Sequence, residues 1–142
     1  MNNLITFFAK IWDTNPGIFL LIAFIVFIGV IGAAALFAKA NKPWIAAMVP
    51  IWNIMVVLQI VGRPASHMAY FLIPFYNIYF FFRLHIELAQ SFGKYNLVDY
   101  ILCCIFNVFY MLNLGLAYTE EYQGPVFGKN LREVQTRKPA LV

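Results

Sequence analysis

The chain has 142 residues, of which 63% are hydrophobic and 11% charged, with a formal net charge of +4 and a mean hydropathy of +0.75. A soluble domain carries about 25% charged residues, so this chain lacks the polar surface to cover its apolar side chains; a soluble enzyme and a disordered chain are excluded. Its basicity then reads as topogenic charge and contact with anionic headgroups, not as nucleic-acid binding.

Residues 1–15 read as a short interfacial segment whose helix is anchored by Phe7, Phe8 and Trp12. Residues 17–37 carry no polar side chain, and at about 1.5 Å per residue they cover the hydrocarbon core unaided. Pro16 suits the first turn of that helix, and Lys39 and Lys42 close it. Ala33-Ala34-Ala35 could mimic a signal-peptide cleavage site, but the apolar run is too long for the core of a signal peptide. Further apolar runs follow at 44–61, closed by Gly62-Arg63-Pro64, at 68–90 and at 100–118. Short links between runs favour antiparallel neighbours. The expected fold is therefore all-α and integral to the membrane: an antiparallel bundle of four transmembrane helices over 16–118, with a polar basic tail over 119–142. An even number of spans puts both termini on one side. Lys10, Arg63 and the tail cations Lys129, Arg132, Arg137 and Lys138 then outnumber Lys39, Lys42, Arg83 and Lys94, favouring cytoplasmic termini.

Pro50-Ile51-Trp52-Asn53 is echoed 24 residues later by Pro74-Phe75-Tyr76-Asn77. On helices of opposite direction this is an inverted repeat, of the kind transporters build around a midplane site with proline-broken helices. The structural alternative treats Pro50 and Pro74 as helix breaks. Asn53, Asn77 and Asn107 are then amides near the span centres that hydrogen-bond across the bundle. The first span carries a helix-packing face of Gly29, Gly32 and Ala33, open to a helix of this chain or of a partner.

No motif for catalysis stands up. Ser91-Phe92-Gly93-Lys94 matches an SxxK box, but the companion SDN and KTG boxes are missing. His85 and Glu87 are two apart and do not share a helical face, whereas Arg83 and Glu87, four apart, form an ion pair. His67 and His85 on one continuous helix lie about 27 Å apart and cannot ligate one haem iron. Cys103 and Cys104 are adjacent in an apolar run, which suits neither a disulfide nor a zinc site. No metal and no cofactor is expected.

Four segments in order, Pro50-Ile51-Trp52-Asn53, Ile60-Val61-Gly62-Arg63-Pro64, Ile73-Pro74-Phe75-Tyr76-Asn77 and Leu88-Ala89-Gln90-Ser91-Phe92-Gly93-Lys94, resemble a family of small uncharacterised bacterial integral-membrane proteins. The same module is similar to the multi-span N-terminal extension of certain bacterial type I signal peptidases. The likeness runs over about residues 38–128. Ser66-His67-Met68 departs from the aromatics usual after Gly-Arg-Pro, and the peptidase domain with its Ser/Lys dyad has no counterpart here. The resemblance implies a bacterial inner-membrane module that accompanies a machine, with a cytoplasmic C-terminus.

Two functions follow as expectations. One is a non-enzymatic accessory or scaffold subunit of a larger bacterial membrane complex in export, respiration or motility, with membrane lipids and other integral membrane subunits as partners. The other is a small transporter or lipid-binding protein that uses the inverted repeat and the asparagines.

Overall fold

Asn15 separates two helices in the computed structural model of the chain, which describes residues 2–136: α1 (Asn2–Thr14) and α2 (Pro16–Lys39), with Pro16 at the first helical position. The described residues are all-helical, with no strand. Among the described residues α2 is the one single helix long and apolar enough to cross a bilayer, 11% of its most apolar stretch being buried, and the bent pair 97–105 and 107–116 is long and apolar enough only when taken as one span. Every residue from Pro16 to Phe24 is exposed, whereas Leu36 and Phe37 are fully buried. Half of this helix thus stands free, and the other half is the post around which the rest of the chain packs.

The three later apolar runs each break. A 3₁₀ segment, η1 (Trp44–Met48), leads to α3 (Pro50–Val61). A second 3₁₀ segment, η2 (Ala65–Leu72), leads through Ile73-Pro74-Phe75 to α4 (Tyr76–Ser91). Finally α5 (Leu97–Ile105) turns by 116° at Phe106 into α6 (Asn107–Leu116). Both prolines act as helix breaks. A residue before proline is pushed out of the helical region, and Val49 and Ile73 are both extended. Phe75 has φ +65° and ψ −39°, with Tyr76 amide donating to Pro74 carbonyl at 2.8 Å, a γ-turn that is rare and strained for a bulky residue.

Each broken run is a hairpin: the chain descends, turns and ascends. Tyr100 hydroxyl accepts from Gln90 at 2.9 Å, and Cys103 thiol donates to His85 carbonyl at 3.4 Å, so α5 runs antiparallel to α4. The ascending helices run parallel to α2. On α6, Val108 lies beside Gly29, Leu112 beside Gly32 and Gly115 beside Leu36, both numbers rising together. A Cβ on Gly32 would sit 2.8 Å from Leu112 Cα, so only glycine permits this approach. The small-residue face of α2 is therefore spent inside the molecule, and Gly115 completes it from α6.

Of the expected antiparallel bundle of four spans, the all-helical part is seen and the four spans are not. One helix has the length and apolarity of a span, and the first and last apolar helices are parallel where an up-and-down order of four spans sets them antiparallel. The repeat is likewise direct, not inverted. The chain folds back before each copy, so α3 and α4 ascend together: Ile54, Val57, Phe81 and Leu84 line one cavity, and beyond it Arg63 just past the end of α3 meets Glu87 near the end of α4.

The expected tail is in part a strap. Val126 and Phe127 amides both donate to Val61 carbonyl at 3.1 and 2.9 Å, and Gln123 amide donates to Ser91 carbonyl at 2.8 Å. Tyr122 hydroxyl donates to Ile60 carbonyl at 2.7 Å. Lys39 ammonium caps the end of α6, donating to the carbonyls of Leu114, Ala117 and Glu120 at 2.8, 2.5 and 2.8 Å. Lys94 pairs with Glu120 at 2.6 Å. A last short helix, α7 (Leu131–Gln135), buries Val134. Thus the C-terminal ends of α2, α3, α4 and α6 gather under one strap. Arg137 and Lys138, counted in the tail, lie outside the described residues, as does Met1.

Candidate functional site

The strapped end holds a buried ionic cluster. Gly62 ends α3 with φ +87°, its amide donating to Gln59 carbonyl and that of Arg63 to Leu58 carbonyl, the two bonds of a Schellman motif. A side chain there would be strained by the backbone and would meet Pro125 of the strap 2.7 Å away. The motif throws Arg63 sideways toward α4. Arg63 and Glu87 each stand thirteen residues after the proline of their own copy (50 to 63, 74 to 87). Two parallel helices bring equivalent positions level, so the direct repeat itself sets this pair.

The contact is bidentate. Arg63 Nε donates to Glu87 Oε2 at 2.5 Å and Nη2 to Oε1 at 2.6 Å, with the two side chains 5% and 11% exposed. Nη1 reaches His67 Nδ1 at 3.1 Å. Since guanidinium only donates, that ring nitrogen accepts and the proton sits on Nε2. The Arg63 guanidinium lies over Phe127 at 4.4 Å and Phe80 at 5.2 Å, which encloses the charge between aromatic faces. The expected Arg83–Glu87 pair also forms, Nε to Oε1 at 3.2 Å, and Arg83 Nη1 donates to Tyr79 hydroxyl at 2.8 Å. Two guanidiniums on one carboxylate leave the cluster positive. Beside it opens a cleft of about 760 Å³ between α4 and the strap, with Arg83, Glu87 and Gln90 on one wall and Val126 to Asn130 on the other.

The asparagines divide. Asn53 and Asn107 do line one cavity of about 220 Å³, together with Gly29, Ala33 and His85. Yet each amide serves its own hairpin: Asn53 Nδ2 donates to Ala47 carbonyl at 3.3 Å, and Asn107 Nδ2 to Cys103 carbonyl at 3.4 Å. These carbonyls lie just before the breaks, so both residues satisfy backbone groups that the turn frees. Asn77 is elsewhere, in an apolar groove of about 310 Å³ with Phe71, Ile78, Phe81 and Phe82. A three-amide cluster is not formed, because α4 begins with Asn77 one residue inside its first turn, below the shared cavity.

The residues weighed for chemistry are otherwise engaged. Ser91 hydroxyl donates to Glu87 carbonyl at 2.9 Å while Lys94 binds Glu120, so no Ser/Lys couple exists. His67 and His85 are not on one helix, since the chain folds back at Ile73, and the 27 Å separation argued for a continuous helix does not apply. His85 Nδ1 is 2.7 Å from Phe81 carbonyl. Among the described residues no three His, Cys, Asp or Glu side chains gather to hold a metal.

A model for a family of unknown function, DUF5684, matches residues 45–125, more than half of the chain. The chain belongs to that family. The matched stretch begins in η1 and ends in the strap, so it takes in the three hairpins and leaves out α1 and the whole of α2. It lies within the residues over which an uncharacterised family was expected. No curated protein and no solved structure matches the chain.

Sequence reasoning noted Arg63 only as a turn residue and topogenic charge. The signal for its role was the 24-residue spacing, which sets Glu87 at the equivalent place in the second copy.

Proposed function

We propose that this chain is a non-catalytic accessory subunit of the bacterial inner membrane, crossing it once with α2 and inserting its three hairpins into one leaflet. The observation that carries this is the free N-terminal half of α2 beside apolar hairpin turns: Leu72 is 85% exposed and Phe75 87%. Lengths agree. α2 spans about 36 Å, whereas α3, α4 and α6 rise about 18, 24 and 15 Å, against a hydrocarbon core of about 30 Å. Re-entrant backbone at that depth needs internal partners, and Asn53 and Asn107 supply them.

This arrangement separates the termini. The strapped end carries Lys39, Lys42, Arg63, Arg83, Lys94, Lys129 and Arg132, and among the described residues the other end carries Lys10. Under the positive-inside rule the strap is cytoplasmic and α1 lies across the membrane, replacing a near-tie in charge with a strong asymmetry. A cytoplasmic C-terminus is also what the resemblance to signal-peptidase modules implies. Single cysteines at Thr6 and at Ser66, in a Cys103→Ser/Cys104→Ser background, test it. A membrane-impermeant maleimide on intact spheroplasts is expected to label position 6 and spare position 66; equal labelling overturns the single crossing.

The subunit reading rests on the exposed half of α2. In that leaflet α2 is flanked among the described residues by the end of α1, where Trp12 packs on Phe19 at 5.3 Å, and a partner helix or a second copy packing on its remaining exposed face fills the layer. Mild-detergent purification of the tagged protein from native membranes is expected to bring a stoichiometric membrane protein with it. Recovery of a bare monomer overturns the reading. The strap is held by this chain and carries no argument for a partner. The transporter alternative loses its inverted repeat to the direct one.

A further inference from the structure

We propose that the cleft between α4 and the strap is a headgroup site for an anionic phospholipid. The inference rests on the membrane placement above, which puts the cleft at the interface, and adds a ligand class to it. Three observations converge. First, the cleft is cationic. Glu87 is the acid in its lining, and Arg63 already occupies both carboxylate oxygens. Arg83 uses Nε on Glu87 and Nη1 on Tyr79, leaving Nη2 to donate, and its side chain is 52% exposed. Lys129 lines the opposite wall; its amide donates to Val126 carbonyl at 3.2 Å, while its ammonium has no hydrogen-bond or ion-pair partner among the described residues. Two cations facing one opening suit a phosphodiester, which accepts from a guanidinium and an ammonium at once.

Second, the amides of Gln90 and Asn130 and the Tyr79 hydroxyl line the same opening. Asn130 amide, Tyr79 hydroxyl and the second N–H of Gln90, whose first goes to Tyr100, provide donors for the glycerol or polyol part of a headgroup. Third, an apolar groove adjoins the cleft on α4. Phe82 lines both the cleft and the apolar groove of Phe71, Ile78 and Phe81. Phe82 thus stands between the charged cleft and an apolar groove nearer the start of α4. A soluble phosphate uses only the cleft; an acyl chain uses the groove. A cytoplasmic-facing site also meets the leaflet whose anionic lipids attract basic segments.

The test uses the purified full chain in a neutral detergent. Its thermal unfolding midpoint and native mass spectrum are followed while phosphatidylglycerol, phosphatidylcholine or inorganic phosphate is added. Phosphatidylglycerol is expected to raise the midpoint and remain bound, phosphatidylcholine to do neither, and inorganic phosphate to compete weakly. Lys129→Gln touches no protein partner and is expected to weaken retention roughly fivefold, the worth of one interfacial cation. Lys129→Gln with Arg83→Gln is expected to weaken it roughly 25-fold on the same basis, and more in low salt than in high. Equal retention of both lipids, or Lys129→Gln binding phosphatidylglycerol like the parent, overturns the proposal. Phosphate that stabilises as well as the lipid overturns it in favour of a soluble anion. Because the assay is in micelles, it succeeds or fails independently of the cysteine-labelling test of membrane placement.

Discussion

Glu87→Ala is expected to destabilise the folded chain by about 3–5 kcal/mol, the cost of leaving a buried charge without its partner. The stranded group is Arg63, 7% exposed, held between Phe80 and Phe127 under the strap. It cannot turn to water without lifting Phe127, whose amide bonds Val61 carbonyl. Loss of the carboxylate therefore strikes the helix pair α3–α4 and the docking of the strap together. Arg63→Met with Glu87→Leu is expected to recover most of that stability, since a buried pair replaced by apolar side chains of similar volume is often neutral. The measurement is reversible unfolding by SDS in mixed micelles, followed by the fluorescence of the three tryptophans. A Glu87→Ala variant that unfolds within about 1 kcal/mol of the parent, the worth of a surface ion pair, shows the cluster to be hydrated and not structural.

Gly32→Ala is expected to cost about 1–3 kcal/mol or more, at the upper end of what overpacking does. The added Cβ meets backbone, Leu112 Cα at 2.8 Å and Leu112 N at 2.9 Å, so no side-chain rotation relieves it. Gly115→Ala belongs to the same class, its Cβ lying 2.6 Å from Gly32 carbonyl oxygen. Gly29→Ala supplies the control. There the Cβ finds Val108 Cγ1 at 3.6 Å, an ordinary contact, and replacing a helical glycine by alanine stabilises by about 0.4–1 kcal/mol through the unfolded chain. The order Gly32→Ala worst, Gly29→Ala neutral or better, is read from the same unfolding assay. Were both harmless, α2 and α6 would not approach as closely as the parallel packing requires.

Much of this molecule was legible along the chain. Pro16 placed the start of α2, Lys39 its end, and the apolar stretch between them its length; those are local steric and charge preferences that act within a few residues. Pro50 and Pro74 announced the breaks, and Arg83 and Glu87, one helical turn apart, announced their ion pair. The small-residue face of α2 was visible too, because glycine and alanine in helical register can serve little else in an apolar helix.

The turns' consequence was not legible. A run of apolar residues long enough to cross a bilayer reads the same whether it continues straight or folds back at its proline, since hydropathy is a sum and carries no direction. The reversal at Phe106 had no proline or glycine to mark it. That one ambiguity made parallel helices look antiparallel and a direct repeat look inverted, and it placed Asn53, Asn77 and Asn107 at one depth.

The sequence by itself determined composition-driven properties: helix, apolarity, the positions of proline breaks and the residues small enough for close packing. Each depends on a side chain and its immediate neighbours. Only the tertiary structure decided which ends meet, and hence that Arg63 finds Glu87, that Lys39 caps α6, and that residues 117–127 strap four helix ends together. Those pairings join groups 24 to 81 residues apart, and their geometry exists only once the hairpins have closed.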